Sequence, residues 1–162
     1  MIRIIPYILY LLLISFHDVI LDDATRIFNA SIHLSTLFVF AVALYKSEIT
    51  ATWFGFAVGI VTSAEVPQMM GWHAFLLACL AVLAYQVRQR LNLESIYSRI
   101  LVIAGGVLVV GLINLLLESF DSFFYLIWGR VLLGTIYTSL VAWIFFMFKD
   151  GRITYQKIKA IF

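Results

Sequence analysis

Few side chains in this sequence could do chemistry, and the first group is His17, Asp18, Asp22 and Asp23, with His33 further on. These are metal-ligand types. Zinc takes three or four of them converging at about 2.0–2.2 Å. No His-x-x-x-His or Glu-x-x-His pair, which would put two ligands on one helix face, occurs. His33 is expected about two turns into a helix, away from the acidic residues. A solvated acidic loop without a metal is the expectation. Nucleophilic catalysis needs a serine or cysteine beside a base and an orienting acid. The histidines are His17, His33 and His73, and no Gly-x-Ser-x-Gly elbow is present. No enzyme and no cofactor are expected. Cys79 is the single cysteine, so no intrachain disulfide can form. Its setting, Ala78-Cys79-Leu80-Ala81, predicts a small buried apolar residue.

Two further residues matter because of what surrounds them. Asn114 and Arg130 lie inside long apolar runs, where an uncompensated arginine costs about 2.5–3.5 kcal/mol on insertion scales. Arg130 is expected to pair with Glu118 or Asp121 near one surface, with Glu65 as the competing acid. Gly55 and Gly59 form a small-x-x-x-small motif, which lets a second helix approach closely. The contact lies either within the bundle or with a partner, and Gly55 and Gly59 are the candidate partner face.

The elements that must hold these residues follow from composition. Of 162 residues, 64% are hydrophobic and 12% charged, and the mean hydropathy is +1.03. Soluble domains hold about 45–50% apolar and roughly 25% charged residues. A chain of this size has no globular core large enough to hide the excess. The composition excludes a soluble globular domain, a disordered protein and a nucleic-acid binder. Six continuous apolar stretches are present: Ile4 to Phe16, Ile27 to Tyr45, Ile49 to Ser63, His73 to Val87, Ile100 to Leu117 and Phe123 to Phe148. They do not alternate as barrel strands do, so they are helices. At about 20 residues per span, six spans leave no room for a soluble catalytic domain. The expectation is an all-α integral membrane protein, a compact six-helix transmembrane bundle over residues 1–148. A basic amphipathic tail over 149–162, after a helix end at Gly151, either lies as a short helix on the inner leaflet or frays. The first stretch lacks a small-x-small cleavage site and is expected to stay as a helix. Pro67 is expected to break the chain into an interfacial hairpin over Ala64–Trp72.

Charge sets the expected orientation. With the N-terminus inside, Arg3, Lys46, Arg88, Arg90, Arg99, Lys149, Arg152, Lys157 and Lys159 fall in the cytoplasm, nine of the eleven Lys and Arg. The other side is acidic, with Asp18, Asp22, Asp23, Glu65, Glu118 and Asp121. Both termini are expected to be cytoplasmic.

Gly55-Phe56-x-x-Gly59 is followed, twelve residues after Gly59, by Gly71-Trp72-His73-Ala74-Phe75-Leu76-Leu77 and then a basic loop. From about Ser31 onward, including Trp143-Ile144-Phe145-Phe146-Met147-Phe148-Lys149, the chain resembles the bacterial rod shape-determining protein MreD family. That family shows a Gly-Phe-x-x-Gly helix and then Gly-apolar-His/Arg-Ala/Val-Leu at this spacing. It usually carries an Asp four residues after the second glycine, where this chain has Ser63. The family's Pro-Asp at the start of the second helix is replaced by Asn29-Ala30-Ser31-Ile32-His33. The resemblance implies a non-enzymatic membrane scaffold of the cell-elongation machinery in the bacterial inner membrane, serving rod shape and peptidoglycan synthesis. It implies an MreC-like single-span partner and, indirectly, the MreB filament, RodA and a class B penicillin-binding transpeptidase. Gly71 joins Gly55 and Gly59 as a candidate for partner or helix packing. The fold implied is similar to the substrate-binding subunits of energy-coupling-factor transporters. A vitamin-binding subunit of that type is the competing function. It would need a polar pocket, whereas the sequence offers few interior polar groups beyond Asn114, Arg130, Thr135 and Thr138.

Overall fold

The computed structural model describes residues 4–21, 32–64, 66–91, 95–118 and 127–150, side chains of 21 and 118 excepted. Among the described residues the chain is all-helical, with six helices in up-and-down order. Helix α1 (Ile5–Phe16) begins with Pro6 in its first turn, where the missing N–H costs nothing. It runs on as a π-helical turn, His17–Leu21. Helices α2 (Leu34–Tyr45) and α3 (Glu48–Thr62) are joined by Lys46 and Ser47 alone, both extended, which folds them back on each other. Helix α4 (Pro67–Arg90) and helix α5 (Ile96–Glu118) follow. A π-helical stretch, Ile127–Leu132, feeds directly into helix α6 (Leu133–Lys149).

Three of these units are long and apolar enough to cross a membrane: α4, α5 and the continuous Ile127–Lys149. The outward-facing side chains are apolar on helix after helix: Leu12 on α1, Trp53 on α3, Phe75 on α4, Leu101 on α5 and Ile136 on α6. Water does not tolerate an apolar exterior this extensive on a small monomer.

Helix α2 occupies the centre. Every residue from Thr36 to Leu44 is buried. A helix apolar all round its circumference is stable only when enclosed, and α2 touches α1, α3, α4, α5 and α6. The Phe40 ring lies flat against Gly106 of α5, where a side chain on the glycine would occupy the ring's own space. Gly111, one turn and a half further along α5, receives Val131. Helix α1 is peripheral by contrast, with Ile14 as its buried residue and Ile5, Ile8, Leu9 and Leu12 facing out.

Several sequence-based boundaries are corrected. Pro67 does not break a helix; it starts one, standing at its first position. The expected hairpin over Ala64–Trp72 therefore shrinks to a link ending at Val66, and Met69 to Trp72 are helical. The apolar stretch expected at His73–Val87 is a helix of 24 residues. Its polar ends, Gln68 and Arg88 to Arg90, dilute the hydropathy but continue the helical backbone. His33 immediately precedes α2 rather than lying two turns inside it. Cys79 is exposed, since α4 turns that face away from α3. The tail from Gly151 onward lies outside the described residues.

Candidate functional site

Among the described residues, a close backbone-to-backbone helix contact joins the segments around Gly55–Gly59 and His73–Ala78. A Cβ placed on Gly55 would stand 2.8 Å from the Leu77 carbonyl oxygen and 3.3 Å from Ala78 Cα. On Gly59 it would meet the Ala74 backbone and stand 2.6 Å from the His73 carbonyl oxygen. Only glycine permits this approach, as small residues do in membrane helix pairs generally. The Gly55/Gly59 face is thus a seam packed against α4 within the chain, one of the two contacts the motif allows. Gly71 differs: a Cβ there would meet nothing within 4 Å. It takes no part in helix packing among the described residues.

The seam ends in a polar latch. Ser63 closes α3, and its hydroxyl shares a 2.6 Å hydrogen bond with His73 Nδ1 on α4. Ser63 is buried, so this bond satisfies groups that apolar surroundings would penalise. The pair is a nucleophile and a base within reach of each other. No carboxylate orients His73 among the described residues, and Ser63 does not line either cavity described below. It is a structural latch. Ser63→Ala is expected to lower stability by about 1 kcal/mol, with Ser63→Thr retaining it, as read by thermal unfolding in detergent micelles.

Beside the latch lie two small cavities that share His33 and Asn114. One, of about 140 Å³, is lined also by Thr36, Thr62 and His73. The other, of about 50 Å³, is lined also by Arg130, Gly111 and Val131. The His33 backbone N–H donates to Thr138 Oγ1 at 3.1 Å, tying the entry of α2 to α6. Thr138 in turn donates to the Gly134 carbonyl, one turn back. Asn114 Oδ1 is buried and accepts no hydrogen bond among the described residues. The interior is more polar than the sequence predicts, because Thr36 and Ser63 join Thr135 and Thr138 as buried polar residues. Typical small-molecule pockets hold about 300–1,000 Å³, so neither cavity takes a vitamin-sized ligand.

The opposite end of the bundle is basic. Arg99 on α5 donates to Asp150 Oδ2 at 3.0 Å and to the Tyr45 hydroxyl at 2.8 Å. It thereby joins the ends of α2, α5 and α6. Arg88 on α4 donates to the carbonyls of Ala43 and Lys46 at 3.4 and 3.0 Å, capping the C-terminus of α2. Lys149 Nζ sits 3.3 Å above the Tyr45 ring.

Arg130 lines the smaller cavity with Asn114, at the far end from this clamp. Its expected partners, the carboxylates of Glu118, Asp121 and Glu65, lie outside the described residues, as do Asp22 and Asp23. His17 Nδ1 lies 3.3 Å from the neighbouring Asp18 carboxylate. No group of three metal-ligating side chains assembles among the described residues. Sequence reasoning missed the Ser63–His73 latch and the Tyr45–Arg99–Asp150 clamp. The signal for the latch was a serine at a helix end ten residues before a histidine. No described protein family, curated protein or solved structure matches the chain.

Proposed function

We propose that this chain is a multi-pass protein of the bacterial cytoplasmic membrane, with both termini cytoplasmic. In this reading it is a non-enzymatic scaffold of the MreD type in the cell-elongation machinery. It binds an MreC-like single-span protein and, through it, the MreB filament, RodA and a class B transpeptidase. The observation that carries the reading is that the two motif segments form one unit: Gly55 and Gly59 receive the α4 backbone at His73–Leu77, and Ser63 latches to His73. A motif that resembles a family's signature here has a packing role, which suits a protein whose work is to hold shape. Helix α3 packs along α4 through this seam, so a bilayer crossed by α4 encloses α3 as well. The lysines and arginines gathered at one end match the positive-inside pattern.

The competing reading is a vitamin-binding subunit of an energy-coupling-factor transporter. The Asn114–Arg130 cavity favours it, and the small size of that cavity weighs against it. Depletion in the native host separates the two. The scaffold reading expects rod-shaped cells to round up, and co-purification of a single-span coiled-coil protein that Gly71→Leu, a change on an open helix face, weakens. Cells that keep their shape but lose uptake of a vitamin would overturn it in favour of the transporter.

A further inference from the structure

At the basic end, α1, α2 and α6 enclose an open groove of about 180 Å³. Its wall is aromatic: Tyr7 and Tyr10 from α1, Phe38 from α2 and Phe145 from α6. Tyr10 stacks on Phe38 with centroids 5.1 Å apart, and Phe38 meets Phe145 edge-on at 6.1 Å, so the wall is continuous and rigid. Two lysines, Lys46 and Lys149, line the groove as well, at the basic end of the bundle. The nearest described carboxylate, Asp150, is held by Arg99 through both of its oxygens, and neither lysine makes a salt bridge among the described residues. Lys149 is held over the Tyr45 ring instead, which places its ammonium beside the groove. Arg88 pins the Lys46 carbonyl and so fixes the backbone from which that second side chain rises.

We propose that this groove is a binding site for one anionic phospholipid. The phosphate of the headgroup lies between Lys46 and Lys149, and an acyl chain runs along Tyr7, Tyr10, Phe38 and Phe145. Four observations converge on this occupant. The lining joins two lysines to an apolar wall, so the ligand has an anionic head and a hydrocarbon body. The groove is far too narrow for a helix about 10 Å across, which excludes a partner span. The outer face of α1 beside it, Ile5, Ile8 and Leu9, is exposed and apolar, so the groove is continuous with a hydrocarbon surface. Finally, the groove sits where basic pockets between membrane helices take up anionic headgroups, on the positively charged side. The proposal rests on the membrane-spanning reading and is independent of the scaffold reading. It gives α1, the least buried helix, a lipid as mortar against α2 and α6.

The test uses the full chain in vesicles of phosphatidylcholine with one-tenth phosphatidylglycerol, followed by gentle detergent extraction and native mass spectrometry. The wild type is expected to retain one phosphatidylglycerol, enriched at least tenfold over its share in the vesicle. Lys46→Gln, at an exposed residue that leaves the fold intact, is expected to reduce the enrichment several-fold. Lys46→Gln with Lys149→Gln is expected to abolish it, and Lys149→Arg to keep it. Millimolar inorganic phosphate is expected to leave the bound lipid in place. Retention of phosphatidylglycerol at its bulk share, equal retention by Lys46→Gln, or full displacement by inorganic phosphate each overturns the lipid site while the membrane reading stands. A chain that washes off vesicles at alkaline pH overturns the membrane reading, and the lipid site with it.

Discussion

Gly59→Leu is expected to separate α3 from α4 and cost at least about 3 kcal/mol. The first added carbon already meets the Ala74 backbone, and backbone on the facing helix has no rotamer to change. Relief requires the helix axes to move apart. That movement would also stretch the 2.6 Å Ser63–His73 hydrogen bond and break the contact at Gly55. The loss is therefore larger than one overpacked residue would give elsewhere. Gly71→Leu is the matched control, because nothing stands within 4 Å of its added carbon, and its effect should stay within about 0.5 kcal/mol. Unfolding by heat or denaturant in one detergent reads both. Equal stability of the two variants would show that the seam yields without cost, and the glycines would then lose their packing role. The same comparison bears on partner binding. A Gly59 variant that loses a partner does so by unfolding, whereas a Gly71 variant that loses one reports an interface.

Arg99→Gln is expected to have the next largest effect, about 1–2 kcal/mol, discounted because the pair is partly exposed. Arg99 meets Asp150 and the Tyr45 hydroxyl together, with its guanidinium also within 6.0 Å of the Phe146 ring centroid. Glutamine reaches one polar partner at most and carries no charge. Lysine keeps the charge but lacks the planar fork, so Arg99→Lys should recover only part of the loss. Asp150→Asn tested alone and with Arg99→Gln isolates the pair. A coupling of about 0.5–1 kcal/mol is expected. Additive effects would mean that Arg99 acts through Tyr45 and the rings, and that α6 is fastened to α5 by packing alone.

Helix number and order were legible because each segment is a long apolar run, and such runs leave the backbone one way to satisfy its hydrogen bonds. Helix ends were not. Pro67 reads as a breaker in isolation, yet its effect depends on whether the N–H that proline lacks would have been used at that position. At a first turn it would not. Gly55 and Gly59 were legible as a close contact and illegible as to its partner, because a spacing of four names a face without naming what covers it. Ser63 was legible only as a departure from the family pattern. The latch needs the fold, since the serine and its histidine stand on different helices. Cys79 illustrates the same limit, because α4 carries apolar residues on the faces that meet its neighbours and on those that do not.

The enclosure of α2 has a consequence for how the chain is made. A chain emerges N-terminus first, so in the membrane reading proposed above α2 is made before α3 to α6, the helices that come to cover most of it. Helix α1 covers a small part of it, and the glycine that receives Phe40 lies at residue 106, on a helix not yet synthesised. In that reading the future centre of the protein is wrapped in lipid for much of translation. Assembly is then an exchange in which α3 to α6 displace acyl chains from α2 one side at a time. Lipid accepts any apolar shape, whereas the finished neighbours accept one. Substitutions that change the bulk of Phe40 or Val39 should therefore pass insertion unnoticed and fail late, when the last helices close. Comparable changes at Leu9 or Leu12 of α1 continue to face hydrocarbon and should pass both stages.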